Sequence, residues 1–258
     1  MKIFILCGGY GTRLDYEGKI KAKPMVMIGN KPILMHIIEN FCRSGYNDFV
    51  FCLGFQSESI IKFFLKENKK KIKIINEGKN IITFRFKSRH IKFVGNLIFT
   101  GINTGTGGRI LKAYKKLNLD EDFIMTYGDG LSNVKIKKLV NFHYNNNSSV
   151  TLTAVRPKQR YGILKINNNK VQYFDNSKEK SDVYVNGGFF VVSKYAVKKI
   201  KNKNIYWEKE PLTFFLKKKK LFAYKHEGFW KSLDTLKDKN DFNQMIKNKK
   251  QPWKIFKN

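Results

Sequence analysis

The chain opens on Lys2 to Cys7, a short apolar, β-prone run that stops at Gly8 and Gly9 and continues as Tyr10-Gly11-Thr12-Arg13. A buried strand feeding a glycine turn is the entry to an α/β layer. The glycines let the chain turn tightly and let backbone N–H groups approach an anion. Arg13 and the later Lys23-Pro24 add the positive charge that phosphates demand. The loop is neither a Walker A, since it lacks GK[ST], nor the GxGxxG of dinucleotide folds. Taken alone it is equally a bare turn between strand and helix.

The same rhythm continues downstream. Pro32 to Ser44 carries Ile33, Leu34, Ile37, Ile38 and Phe41 at helical spacing, and Phe49 to Leu53 reads as a strand. Gln56 to Lys66 is again helical in pattern; Gly105 to Leu117 and Lys135 to Tyr144 are further helices, separated by the buried strand Phe123 to Thr126. Asn68 to Phe99 breaks the alternation with several short strands and is expected to form a lid or an oligomer contact. After Ser148 the texture turns to strands at Val150 to Val155, Gly162 to Ile166, Val171 to Phe174 and Phe189 to Val192. The pattern predicts an α/β, Rossmann-like mixed sheet, mainly parallel, flanked by helices and carrying small antiparallel additions. With no internal repeat and no Pro/Ser-rich linker, 1–258 is expected to be a single domain.

Charge is the chain's most extreme compositional trait: 51 Lys plus Arg against 20 Asp plus Glu, a net charge of +31. Such a field attracts anionic partners, nucleic acid among them. Arg is scarce, however, and the aromatics sit inside apolar strand and helix runs, so a basic nucleic-acid-binding protein is the remote reading. Lys217 to Lys220 and Lys247 to Lys250 read as solvated helix ends. Cys7, Cys42 and Cys52 form no CxxC pair and no zinc pattern, which argues for a reducing cytosol and a cytoplasmic protein. His36, His90, His143 and His226 are dispersed and read as structural or surface residues.

GGYGTRL followed by KAKPMVMIGNKPILMHII resembles the signature of the sugar-phosphate nucleotidyltransferases, a GGxGTRL loop, then KPM, then GxKPI. NTGTGGR at Asn103 to Arg109, TYGDG at Thr126 to Gly130 and VNGGFFV at Val185 to Val191 extend the likeness. So do YWEKEPL at Tyr206 to Leu212 and GFWKSLDT at Gly228 to Thr235. Together they resemble one subfamily, the glucose-1-phosphate cytidylyltransferases. The resemblance implies the nucleotide-diphospho-sugar transferase fold, a homo-oligomer, and a reaction joining CTP to glucose 1-phosphate. CDP-glucose for surface-polysaccharide deoxysugars and pyrophosphate would be the products.

It further implies that Leu6, Cys7, Gly8, Gly9, Tyr10, Gly11, Thr12 and Arg13 wrap the CTP phosphates and base edge, with Lys23 on the phosphates. Thr104, Arg109 and Gly128 match nucleotide-contacting positions, Asp129 and Asp234 match Mg2+ ligands, and Asn186 and Gly187 fall in the acceptor site. Arg13, Lys23 and Asp129 are thereby the expected catalytic residues. Asp129 also follows an apolar strand, at the end where open α/β sheets bind ligands. Read alone, Asp129 is an Asp-Gly turn and Asp234 a helix N-cap.

One segment departs from the family. Where it has FxEKP, this chain has Phe174-Asp175-Asn176-Ser177-Lys178, so the Glu-Lys pair that grips the sugar phosphate becomes Asn176-Ser177. Lys178, Glu179 and Lys180 lie close enough to restore such a pair by a register shift, and phosphoglutamine is the alternative acceptor. Phe99 stands where the family usually has Asp before Thr-Gly.

Overall fold

The computed structural model describes residues 1–9, 22–158, 163–175 and 183–254. Strand β1 (Ile3–Cys7) is buried along its whole length. A small hairpin of β2 (Met27–Ile28) and β3 (Lys31–Pro32) leads into helix α1 (Ile33–Arg43) and strand β4 (Asp48–Leu53). The helical pattern after Gln56 is only partly realised: α2 (Ser57–Lys62) gives way to a π-helical turn at Phe63–Glu67. That turn still buries Phe64 in the core. Periodicity alone does not separate the two windings, because both keep an apolar face inward.

The irregular stretch becomes an antiparallel group, β5 (Ile72–Gly78), β6 (Ile81–Lys87) and β7 (Lys92–Phe99). Helix α3 (Thr106–Lys116), strands β8 (Phe123–Tyr127) and β9 (Gly130–Ser132) and helix α4 (Ile136–Asn145) restore the alternation. Then come β10 (Val150–Val155), the ribbon β11 (Ile163–Asn167) with β12 (Lys170–Asp175), and β13 (Val185–Val192). The chain closes with α5 (Lys194–Val197), α6 (Glu210–Lys217), β14 (Leu221–His226), β15 (Trp230–Ser232) and α7 (Leu236–Lys247).

Nine strands form one sheet in the order β14-β10-β13-β8-β1-β4-β7-β6-β5. Its centre, β8-β1-β4-β7, is parallel, and the antiparallel pairings lie towards the flanks. The expected mixed, mainly parallel sheet with antiparallel additions is therefore the architecture found.

Alternation along β1 explains the two core layers. Ile3, Ile5 and Cys7 face the layer containing α1, whereas Phe4 and Leu6 face the layer containing α3. Strand β4 does the same, with Phe49, Phe51 and Leu53 on the first side and Val50 and Cys52 on the second. A strand buried on both faces must read as a continuous apolar run, as β1 does. From β1 the chain passes to β4 on one side and later to β8 on the other, so a crevice opens at the carboxyl ends of β1 and β8.

Candidate active site

That crevice is a cavity of about 480 Å³. Leu6, Cys7, Gly8 and Gly9 line it from the end of β1, and Tyr127, Gly128 and Asp129 from the end of β8. Lys23 and Pro24 close one side, and Thr104 and Arg109 another. Tyr10, Gly11, Thr12 and Arg13, and the Asn176-Ser177 departure with its neighbours to Lys180, lie outside the described residues.

The close fit of the two strand ends depends on glycine. Gly128 N–H donates to Leu6 O at 3.2 Å, and a Cβ on Gly128 would sit 2.7 Å from Pro24 Cγ. Any larger residue there pushes Pro24, and Lys23 with it, away from β8.

Asp129 and Asp234 come together through a short ribbon. β9 pairs antiparallel with β15, so Asp129, just before β9, lies beside the residues just after β15. Leu233 N–H donates to Asp129 O at 2.8 Å and ties the two segments. Thr235, and not Asp234, caps α7, in a reciprocal capping box with Asp238. That box fixes the helix start and leaves the Asp234 carboxylate to face the cavity side.

Both carboxylates meet one cation: Lys23 Nζ lies 2.5 Å from Asp129 Oδ2 and 2.9 Å from Asp234 Oδ1. Ser232 Oγ donates to Asp234 Oδ2 and holds the second carboxylate. Burial pulls the Lys23 ammonium down, but Asp129 and Asp234 outweigh it and leave its pKa raised. Burial pushes the Asp234 carboxyl up, and hydrogen bonds from Lys23 and Ser232 outweigh that, so its pKa is lowered. Both groups are charged at neutral pH.

Arg109 is 4% exposed and works from beneath the site. Nη1 donates to Leu53 O, Thr100 Oγ1 and Gly101 O, and Nη2 to Gly8 O and Ile102 O. One guanidinium thus ties the ends of β1 and β4 to the loop after β7. Gly8 leaves room for it, since a Cβ there would stand 2.2 Å from Nη1. Thr104 Oγ1 donates to Thr100 O at 2.9 Å and tightens the same loop.

The residues expected at the acceptor, Asn186 and Gly187, sit on β13. Asn186 Oδ1 accepts from Gly188 N–H at 2.9 Å, and Gly187 O accepts from Trp230 Nε1 at 2.7 Å. Tyr127 connects Asn186 to Glu208: its hydroxyl donates to Glu208 and also bonds Asn186. Burial and then the Glu208 charge push the phenol far up, so it stays a neutral donor. Glu208 Oε2 in turn accepts from Thr106 Oγ1 at 2.6 Å, at the start of α3.

Cavity residues that sequence reasoning missed include Pro24, Ile102, Thr106, Tyr127, Asn204 and Tyr206. The segment carrying Asn204 and Tyr206 packs on α3, with Gly105 N–H donating to Lys203 O and Gly108 N–H to Ile205 O. Only the YWEKEPL motif signalled it. Cys7 is no nucleophile: burial raises its thiol pKa, so it stays protonated. His36 and His143 are core residues, in line with their structural reading.

This geometry, a cleft of about 480 Å³ at a topological switch point, lined by Lys23 and Asp129 with Asp234 bonded to the lysine, has a family. Residues 2–248 match the nucleotidyl transferase family, and the chain belongs to it. Among its relatives is the glucose-1-phosphate cytidylyltransferase of Salmonella typhimurium, 35% identical over 260 residues, covering 99% of this chain and 100% of that one. The mannose-1-phosphate guanyltransferase of Saccharomyces cerevisiae is 27% identical and is covered over 62% of its length. The solved structure of HddC from Yersinia pseudotuberculosis superposes with a TM-score of 0.67 at 22% identity, over 95% of this chain and 99% of that one.

Proposed function

We propose that the chain is a cytidylyltransferase that joins CTP to glucose 1-phosphate, giving CDP-glucose and pyrophosphate. The observation that carries this is the convergence of Lys23, Asp129 and Asp234 on one point of the cleft, in a chain with a cytidylyltransferase relative along its full length. In this reading a phosphate oxygen of the acceptor attacks the α-phosphorus of CTP, and the bond from that phosphorus to the β-phosphate oxygen breaks. The obstacle is repulsion between anions, which positioning and fixed positive charge relieve.

The two carboxylates fit a hard divalent cation such as Mg2+. They offer oxygen donors only and already converge on a cation. Among the described residues no cluster of three or more His, Cys, Asp or Glu forms a closed cage. Mg2+ is bound in this way, by one or two carboxylates with phosphate and water completing the shell. When bound, it supplies charge neutralisation at the reacting phosphates.

The remaining work falls to the chain itself. Gly8 and Gly9 let the backbone come close to the phosphates, and Arg109 holds that loop in register through Gly8 O. Lys23 provides the mobile positive charge for the phosphates, with Arg13 as its expected partner. Tyr127 keeps Asn186 facing the acceptor side. A homo-oligomer in the cytoplasm, supplying surface-polysaccharide synthesis, completes the reading.

The test is pyrophosphate release with Mg2+, each of CTP, UTP, dTTP and GTP, and each of several acceptors. CTP with glucose 1-phosphate is expected to give the highest kcat/KM. A clear preference for phosphoglutamine or another nucleotide would overturn the assignment.

A further inference from the structure

The Lys23 ammonium already commits two of its three donors to carboxylates. As the chain stands, its ammonium lies between Asp129 and Asp234, where their oxygens converge. Resting on the reading that these carboxylates hold the divalent cation, we propose that Lys23 is a built-in counter-ion for the pair, displaced onto the phosphates only when metal and nucleotide arrive together.

The electrostatics require some such partner. Two carboxylates facing one point repel each other unless a cation sits between them, and the pair is partly screened from water. Lys23 is the salt-bridge partner that the two carboxylates share. With the ammonium in place, a dication meets one net negative charge instead of two, and also meets a like charge at contact distance.

The lysine is also built to move. Pro24 is buried and packs against Gly128, so the backbone beside Lys23 is anchored. The unbranched side chain carries the motion, and it borders both the carboxylates and the strand-end loop at Gly8 and Gly9. Swinging from one to the other exchanges carboxylate for phosphate as the partner of the ammonium. Free metal therefore binds weakly, and nucleotide phosphates, by drawing Lys23 away, strengthen metal binding. Linkage makes the effect reciprocal, so metal strengthens nucleotide binding to the same degree.

Mn2+ binding followed by its EPR signal, without nucleotide, tests this independently of turnover. Lys23→Met is expected to bind Mn2+ about tenfold more tightly than the unmodified chain, and Asp129→Asn added to it should abolish that binding. The Lys23→Met chain should also gain more thermal stability from Mn2+ than the unmodified chain does. Lys23→Arg, which keeps the charge, should retain weak binding. Equal Mn2+ affinity in the Lys23→Met and unmodified chains, with Asp129→Asn still abolishing it, overturns the counter-ion role and leaves the metal site standing. Tight binding in Lys23→Arg overturns it too. Mn2+ binding indifferent to Asp129→Asn in every background sinks the metal-site reading itself.

Discussion

The Asp129 carboxylate bonds the Lys23 ammonium, and its replacement by Asn keeps the shape while deleting a charge. Turnover in Asp129→Asn is expected to fall by at least about a thousandfold, with the thermal midpoint little changed. Near-normal turnover would refute the metal-ligand role. Arg109→Leu should behave in the opposite way, as a stability variant. It strips donors from carbonyls of Leu53, Gly8, Gly101 and Ile102 in a buried setting, costing at least about 3 kcal/mol in urea unfolding. His36 predicts a pH effect. Its ring accepts from Trp253 Nε1 while its other nitrogen, as a donor, faces Ile28 O, and burial lowers its pKa from 6.5 to about 4. Below pH 6.5 the unfolded chain gains a proton that the folded chain refuses, so stability is lost as pH falls from about 6.5 towards 4. The loss is at most about 3 kcal/mol, and the urea midpoint of His36→Gln should depend less on pH over that window.

At the level of elements, the two segments that bring in the late site residues are the most sensitive. Gly108 on α3 has the Lys203 carbonyl 2.0 Å from where a Cβ would be. Gly108→Ala is therefore expected to push off the segment bearing Asn204 and Tyr206, raising KM for the nucleotide more than it lowers the unfolding midpoint. Thr235→Ala breaks the capping box of α7 and should cost about 1 kcal/mol. Because Asp234 directly precedes that cap, its kcat should fall too. Unchanged kcat would separate the helix start from the site. Much of this layer was legible. α1 and β10 could be read from their apolar residues, since each is buried along most of its length. The start of β13 could not, because Val185, Asn186, Gly187 and Gly188 carry no strand pattern and are held by pairing with β10. The π turn after α2 was equally hidden, because winding is decided by packing of Phe64.

For the whole molecule, Lys23, Asp129 and Asp234 could be named from the sequence, but how they meet could not. Asp129, Asp234 and Lys23 each stand in a recognisable motif, yet the bridge between them exists only once β9 pairs with β15 and β1 lies beside β8. Tyr127 and Glu208 illustrate the same gap, since their bond joins residues 81 positions apart. The net charge of +31 has a global consequence as well. Self-repulsion destabilises the compact state, so moderate NaCl should raise the thermal midpoint. A flat response in a salt titration would show that the lysines are too dispersed to matter.

The spacing of the site along the chain also bears on how it is made. Lys23 finds Asp129 only 106 residues later and Asp234 only 211 residues later. During synthesis the glycine loop, the lysine and the first aspartate leave the ribosome long before the second. A half-made chain that ends before residue 234 lacks the second of the two carboxylates that Lys23 bonds. The three side chains that meet in the cleft are thereby together only once residue 234 has been made.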